Sequence, residues 1–285
     1  MNVYVILHSH VRDIMNNMIN ALMKYPQLHF VWSEVSFLER WWSEANETYK
    51  KHFRRALLHS LIAEGRLEIS GASWVMTDEA TPYFWATIDN MVVGHQYVQQ
   101  ILNITPTTSW SVDPFGHGLM VPYLLSLSGI QRMVIGRVNS NIKDSLKRHQ
   151  QLHFRWAQSW DPETRWAPFV NVLPNLYYTV INACGIDESV CCQFDVAKSA
   201  RTPCTERAHV ESPQQIAKYA TRMASQYRSL QPFYNSDTIL VAAGDDFSYS
   251  LPEDLEIVQR VYIALFSYIN NNSKKFNMHV RRIHF

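Results

Sequence analysis

No stretch of the sequence approaches the roughly 20 consecutive apolar residues needed to cross a bilayer, so a membrane-spanning segment within it is not expected. There is no basic block either. Its 26 Lys and Arg stand against 25 Asp and Glu, a formal net charge of +1, and nothing in that balance points to nucleic acid as a partner. No internal repeat, low-complexity tract or linker interrupts the chain, which reads as a single domain. Cysteine is scarce, and none of the four Cys shows the paired C-x2–4-C spacing typical of a structural zinc site. No leader precedes the first apolar run, Asn2-Val3-Tyr4-Val5-Ile6-Leu7, which reads as a core strand. A chain whose second residue already enters the core is expected to be a piece of something longer.

What is present is a globular composition: 285 residues, 47% hydrophobic and 18% charged, enough to bury a sizeable core. The 9 Trp, 14 Tyr and 13 Phe suit sugar stacking, but they suit an ordinary core equally well. Cys184, Cys191, Cys192 and Cys204 all lie in one short segment. Vicinal Cys191 and Cys192 are poorly placed to bridge each other, so the simplest pairing is Cys184–Cys191 with Cys192–Cys204, a four-thiolate zinc site being the rival. Disulfides imply an oxidising compartment. Sequons at Asn46, Asn103 and Asn271 fit the secretory pathway, although such triplets arise by chance and Pro106 makes the second a poor acceptor.

Strand-like and helix-like segments alternate along most of the length. Strands are expected at Asn2 to Leu7, Leu28 to Val35, Leu67 to Gly71, Thr108 to Val112, Met133 to Gly136 and Val170 to Leu173. Thr238 to Ala243 is the clearest buried strand of all, and His279-Val280 opens a last one. Helices fall between them, at Arg12 to Lys24, up to Leu61, up to Ile101, Leu119 to Ser128, Pro213 to Tyr227 and Glu253 to Ile269. This order argues for an α/β fold with a parallel sheet and crossover helices, either a βα barrel or an open sheet.

Three polar clusters follow apolar runs: His8-Ser9-His10, Asp113 within Trp110-Ser111-Val112-Asp113-Pro114-Phe115-Gly116, and Asp245-Asp246. Polar groups at the C-terminal ends of parallel strands are where such enzymes assemble a site. Singly, each has a plain structural reading: Asp-Pro…Gly forms turns, paired Asps cap helices, and a His at a strand end is usually just hydrogen-bonded. Together, a His and an Asp suit a divalent metal, zinc above all, and two separate carboxylates suit glycoside hydrolysis.

These stretches, with Phe30 to Phe37, Trp74 to Ala80, Cys191-Cys192-Gln193-Phe194-Asp195 and Gly244-Asp245-Asp246-Phe247, resemble glycoside hydrolase family 38, the class II α-mannosidases. The double cysteine and the GDDF form are similar to its Golgi branch, the mannosidase II and IIx group. The matches run in the family's order over nearly all of the chain, as its N-terminal catalytic domain. The resemblance implies a distorted, seven-stranded parallel βα barrel, zinc, and retaining hydrolysis of α-1,3- and α-1,6-linked mannose on N-linked oligosaccharides in the Golgi lumen. The resemblance also allows for a dimer. It implies that Asp113 is both nucleophile and zinc ligand, that Asp246 is the general acid/base, and that His10 is a zinc ligand. Asp245, Phe115, Arg137 and Tyr178 are the implied sugar-binding residues.

The sequence also departs from the family pattern. After His10 the family continues H-N-D-P-G-W, supplying another zinc-binding Asp, whereas here Val11-Arg12-Asp13-Ile14 follows. By this alignment a connecting segment is missing after His10, the chain is cut at both ends, and a final zinc-binding His lies beyond Phe285. Arg12 takes the ligand position, and a guanidinium cannot coordinate a cation. Two of the four expected protein ligands remain, so weak zinc binding and impaired turnover are expected. The alternative is a non-catalytic relative that keeps the fold to bind glycan or a partner.

Overall fold

The computed structural model describes residues 3–44, 48–78, 83–200 and 202–281, which leaves the sequon at Asn46 outside the described residues. In chain order the elements begin α1 (Val3–Lys24), β1 (Phe30–Trp32), α2 (Val35–Ser43), α3 (Thr48–Ala63), β2 (Leu67–Ile69), α4 (Phe84–Leu102) and β3 (Thr108–Ser111). They continue α5 (Met120–Leu127), β4 (Arg132–Ile135), α6 (Ser140–Arg148), β5 (His153–Arg155) and β6 (Phe169–Val172). The last are α7 (Val180–Ala183), α8 (Glu188–Cys191), α9 (Pro213–Leu230), α10 (Asp254–Asn271) and α11 (Ser273–Phe276). The described residues form two compact units, one drawn from 3–28, 178–232 and 236–281, the other from 29–177 and 233–235.

The second unit carries all the described strands. β3, β4 and β6 run parallel, β5 joins the outer edge of β6 antiparallel, and the order is β3-β4-β6-β5. β1 and β2 form a separate parallel pair, and the backbone N–H of Gly71, just past β2, donates to the carbonyl of Thr108 on β3. Crossover helices between parallel strands are the architecture the alternating pattern predicts. Val134, Ile135, Val170 and Val172 are buried, as central parallel strands covered on both faces require. The fold is thus mixed α/β with parallel strands. The described ladders make two open sheets, and a seven-stranded barrel is not among them.

The first unit is helical. In α1, Ile14, Met15, Met18, Ile19 and Leu22 are buried at helical spacing, and the helix ends just before Tyr25-Pro26, where proline disfavours helix in the residue ahead of it. α9 starts at a capping box: the Ser212 hydroxyl accepts from the Gln215 N–H, the Gln215 side chain accepts from the Ser212 N–H, and Pro213 fills the first turn. α9 packs on α10, burying Met223, Ala224, Val261 and Leu265.

Three expected strands are not formed among the described residues, which leave out Asn2 and everything past Arg281. Val3 to Leu7 lies in α1: a β-branched run fits either element, and no Gly or Pro separates it from the helical pattern at Arg12, so the helix propagates upstream. Thr238 to Ala243 pairs with no strand among the described residues, and only Ala242 of the six is buried. At Val280 the Asn270 side chain does the work of a neighbouring strand, donating to the Val280 carbonyl (2.9 Å) and accepting from its N–H (2.8 Å).

α4 is locked to the loop after β2. A Cβ on Gly94 would stand 2.1 Å from the Ala72 carbonyl oxygen, and the Asn90 amide brackets Val75, accepting from its N–H (2.9 Å) and donating to its carbonyl (2.8 Å). Gly94→Ala therefore sets a helix-propensity gain of about 1 kcal/mol against a backbone clash, and overpacking of this kind typically costs ~1–3 kcal/mol. The expected outcome is a lower urea midpoint. A midpoint at or above wild type would show that α4 can move off the loop.

Candidate active site

Parallel register builds the first cluster. Ser111 on β3 pairs with Ile135 on β4, and Ile135 pairs with Val172 on β6. Two residues beyond the first pair stand Asp113 and Arg137, side by side because the register is straight. Arg137 donates twice to Asp113 Oδ1, from Nη2 (2.6 Å) and Nε (2.8 Å), and Nε also reaches the Asp113 carbonyl (3.1 Å). Oδ2 takes no part in this fork. The pair is half-exposed, with side-chain exposures of 28% for Arg137 and 41% for Asp113, so it is worth on the order of 1 kcal/mol and orients more than it stabilises. The guanidinium also lies over the rings of Phe115 (4.4 Å) and Tyr177 (5.1 Å), a cation–π arrangement that leaves the Phe115 ring largely in solvent.

The approach of β3 to β4 is close because Gly136 has no side chain: a Cβ there would fall 2.2 Å from the Val112 carbonyl oxygen. Glu34, which no sequence motif marks, joins this cluster. It holds a left-handed backbone (φ 66°) ahead of α2, and its Oε1 accepts from the Met76 N–H (3.2 Å). Burial raises its pKa, the Met76 bond opposes that, and the charge of Asp113 raises it further. A lone Glu before a helix gives no sequence signal for such a role. His117 completes the cluster, its ring edge-on to Trp156 at 6.4 Å and its Nε2 buried without a hydrogen-bond partner.

The other implied residues gather in the helical unit. The Tyr178 hydroxyl donates to Asp246 Oδ1, and the Asp246 N–H donates to Asp245 Oδ1 (2.7 Å). The loop is a tight one: Gly244 (φ 156°), Phe247 (φ 57°) and Tyr249 (φ 69°) all have positive φ. His10 lies within α1 rather than at the end of a strand, and its ring meets Phe247 edge-on at 5.9 Å, so it stands by the Asp245-Asp246 loop. A crevice here is lined by Asp195, Gly244, Ser248, Tyr249 and Tyr262. Burial raises the pKa of Asp195, Arg207 opposes it, and Asp245 and Asp254 add to the rise. Asp195 closes the Cys191-to-Asp195 stretch, and nothing in its sequence context marks it as a site residue.

The cysteines pair as Cys184–Cys191 (Cα–Cα 5.6 Å) and Cys192–Cys204 (5.8 Å), and no described cysteine is free. Asn182 donates to Glu188 Oε1 (2.7 Å) beside the first bridge. Among the described residues no three His, Cys, Asp or Glu side chains gather closely enough to hold a metal ion. Arg12 pairs with Asp13 (3.3 Å).

With this geometry in hand, the chain matches the sequence profile of the glycosyl hydrolases family 38 N-terminal domain over residues 2–284. It is 33% identical to alpha-mannosidase 2x of Mus musculus, over 95% of this chain and 25% of that protein. It is 33% identical to alpha-mannosidase 2 of Arabidopsis thaliana, over 92% of this chain and 22% of that protein. The chain thus spans about a quarter of the length of these relatives. The crystal structure of an alpha-mannosidase from Enterococcus faecalis shares the fold, with a TM-score of 0.60 at 13% identity over 94% of this chain and 25% of that one.

His117 gives a pH expectation. Burial takes its pKa from 6.5 to about 4, against a backbone contact with Arg137 that pushes it up. The unfolded chain therefore binds this proton more readily than the folded one. The stability from a neutral His117 is fully present above pH 6.5 and is lost as pH falls towards 4, by up to ~3 kcal/mol. His117→Gln should flatten the stability–pH curve across this window, measured by urea unfolding. An unchanged slope would place the ring in contact with water.

Proposed function

Because the chain belongs to glycosyl hydrolases family 38, we propose that it carries the reacting carboxylates of a retaining α-mannosidase acting on α-linked mannose of N-linked oligosaccharides. The observation that carries this reading is Asp113, set by strand register at the end of a parallel sheet and forked by Arg137 through one oxygen only. Oδ2 is then the oxygen that attacks the anomeric carbon. Arg137 holds Oδ1 and orients the carboxylate for displacement, which splits the reaction into two steps through a glycosyl–enzyme ester. Asp246 is the proton donor to the leaving oxygen in the first step and takes a proton from water in the second. Tyr178 fixes its Oδ1, and Asp245 turns the Asp246 backbone. Phe115, whose ring is open to solvent, offers an apolar face to a sugar.

The family implies a metal, and the resemblance makes it zinc, which supplies Lewis-acid binding of sugar hydroxyls. The described residues do not fit it. Asp113 Oδ1 is taken by two guanidinium donors, the sequence count after His10 puts the cation Arg12 at the position of an Asp ligand, and no three candidate ligands cluster among the described residues. A catalytic zinc generally needs three protein ligands. That misfit is the one observation favouring the second reading, a relative that binds glycan or a partner without turnover. Retention of Asp113, Asp245, Asp246, Arg137 and Tyr178 favours the first. Two disulfides suit an oxidising lumen, the Golgi by resemblance. No described helix is long and apolar enough to cross a membrane.

The test is to express residues 1–285, determine bound zinc by elemental analysis and assay an aryl α-mannoside. Substoichiometric zinc and weak turnover, abolished by Asp113→Asn, are the expected result. Mannoside binding with no turnover, unaffected by Asp113→Asn, would establish the binding relative instead. Stoichiometric zinc with robust turnover would mean that another group, such as Asp13, completes the ligand set.

A further inference from the structure

α6 is inverted relative to an ordinary surface helix. Its one buried residue is Lys143, 6% exposed, while Ile142 beside it is 56% exposed. Long side chains usually keep their charge in water, and an ammonium in the interior is costly unless its hydrogen bonds are met. Packing alone would favour the isoleucine inside, so the lysine is held there for its charge and donors.

Those donors go to two places. Lys143 Nζ donates to the carbonyl of Gly136 (2.6 Å) and to the carbonyl of Asn175 (2.6 Å). Gly136 immediately precedes Arg137, and Asn175 lies two residues before Tyr177, which shares the Arg137 guanidinium with Phe115. One ammonium therefore ties the loop after β4, which carries Arg137, to the loop after β6, which carries Tyr177. Gly136 is also the residue packed on Val112, so the same tie bears on the backbone next to Asp113.

We propose that Lys143 is a positioning residue: it sets the direction from which Arg137 holds the Asp113 carboxylate by clamping the two loops that present Arg137 and Tyr177. The charge is maintained against its surroundings. Burial, then the positive charges of Lys147 and Arg137, bring its pKa down to about 8 against the opposing charge of Asp144. A residue that resists its own location in this way contributes geometry rather than stability. Lys143→Met removes the desolvation cost of the ammonium but leaves the Gly136 and Asn175 carbonyls without that donor, so its two effects on stability oppose each other. Stability and positioning are therefore expected to move independently, which a purely structural role does not allow.

This inference rests on the reading of Asp113 as the reacting carboxylate, and the experiment separates the two. The 15N-labelled chain is compared with Lys143→Met and Lys143→Gln by following hydrogen exchange at the Arg137 Nε–H, identified by its disappearance in Arg137→Lys. The same variants are tested for binding and turnover of an aryl α-mannoside. We expect the Arg137 Nε–H to exchange about tenfold faster in Lys143→Met at a urea midpoint close to that of wild type, with Lys143→Gln between it and wild type. Where the wild type turns over, kcat should fall more than KM rises. If the wild type neither binds nor cleaves mannoside, the functional reading fails while the Arg137 exchange still decides the positioning. Unchanged Arg137 exchange in the folded variants, or variants of both kinds that do not fold, would overturn the proposal and leave Lys143 as a core residue.

Discussion

The Asp113 cluster depends on the close approach of β3 and β4 at Gly136. With no side chain there, the backbone of Val112 lies against the next strand, and register alone brings Asp113 and Arg137 into hydrogen-bonding range. Any residue with a Cβ would part the strands by more than the tolerance of the two short bonds to Oδ1. The aromatic contacts of Arg137, the His117 contact and the Lys143 clamp all attach to the same segment of backbone. Their geometry follows from that contact instead of adding up separately.

The sheet unit was largely legible in the sequence, and the reason is local consistency. At Phe30–Trp32, Leu67–Ile69, Thr108–Ser111, Arg132–Ile135 and Phe169–Val172, short apolar runs bounded by turn residues coincide with parallel pairing that buries them. The failures share a different cause. Thr238 to Ala243 is as apolar as any strand, but strand identity belongs to the pair, and this run pairs with no described strand. Val3 to Leu7 sits next to a strong helical pattern and is absorbed by it. At Val280 a single asparagine amide meets the backbone needs that a neighbouring strand would have met.

In the site the pattern is similar. Asp113, Asp245 and Asp246 announce themselves by following apolar runs, and Arg137 and Tyr178 through the resemblance. Glu34, Asp195 and Lys143 do not, because their significance lies in burial and in partners distant in sequence. A Lys on an otherwise polar helix reads as a solvated face, and only the structure turns it inward. His10 shows the converse: the motif was visible, yet the element expected to present it is a helix. A histidine there points where the helix phase sends it, towards Phe247.

The tandem bridges at Cys191 and Cys192 have a consequence of their own. They close residues 184–191 and 192–204 into two adjoining covalent rings joined at one peptide bond. The second ring carries Asp195 at one side and Ser199 at the other, and Ser199 is held by the buried Asp254 carboxylate through its N–H (3.1 Å) and hydroxyl (2.5 Å). A loop fixed at both ends and at an interior point has little freedom left to lose when a ligand arrives, so its carboxylate is presented already ordered. Were the bridges reduced, Ser199 and Asp254 would be left as the anchor holding the far side of that ring. The crevice beside Asp195 would then take its shape from the thiol chemistry of the surrounding compartment, as well as from the sequence that lines it.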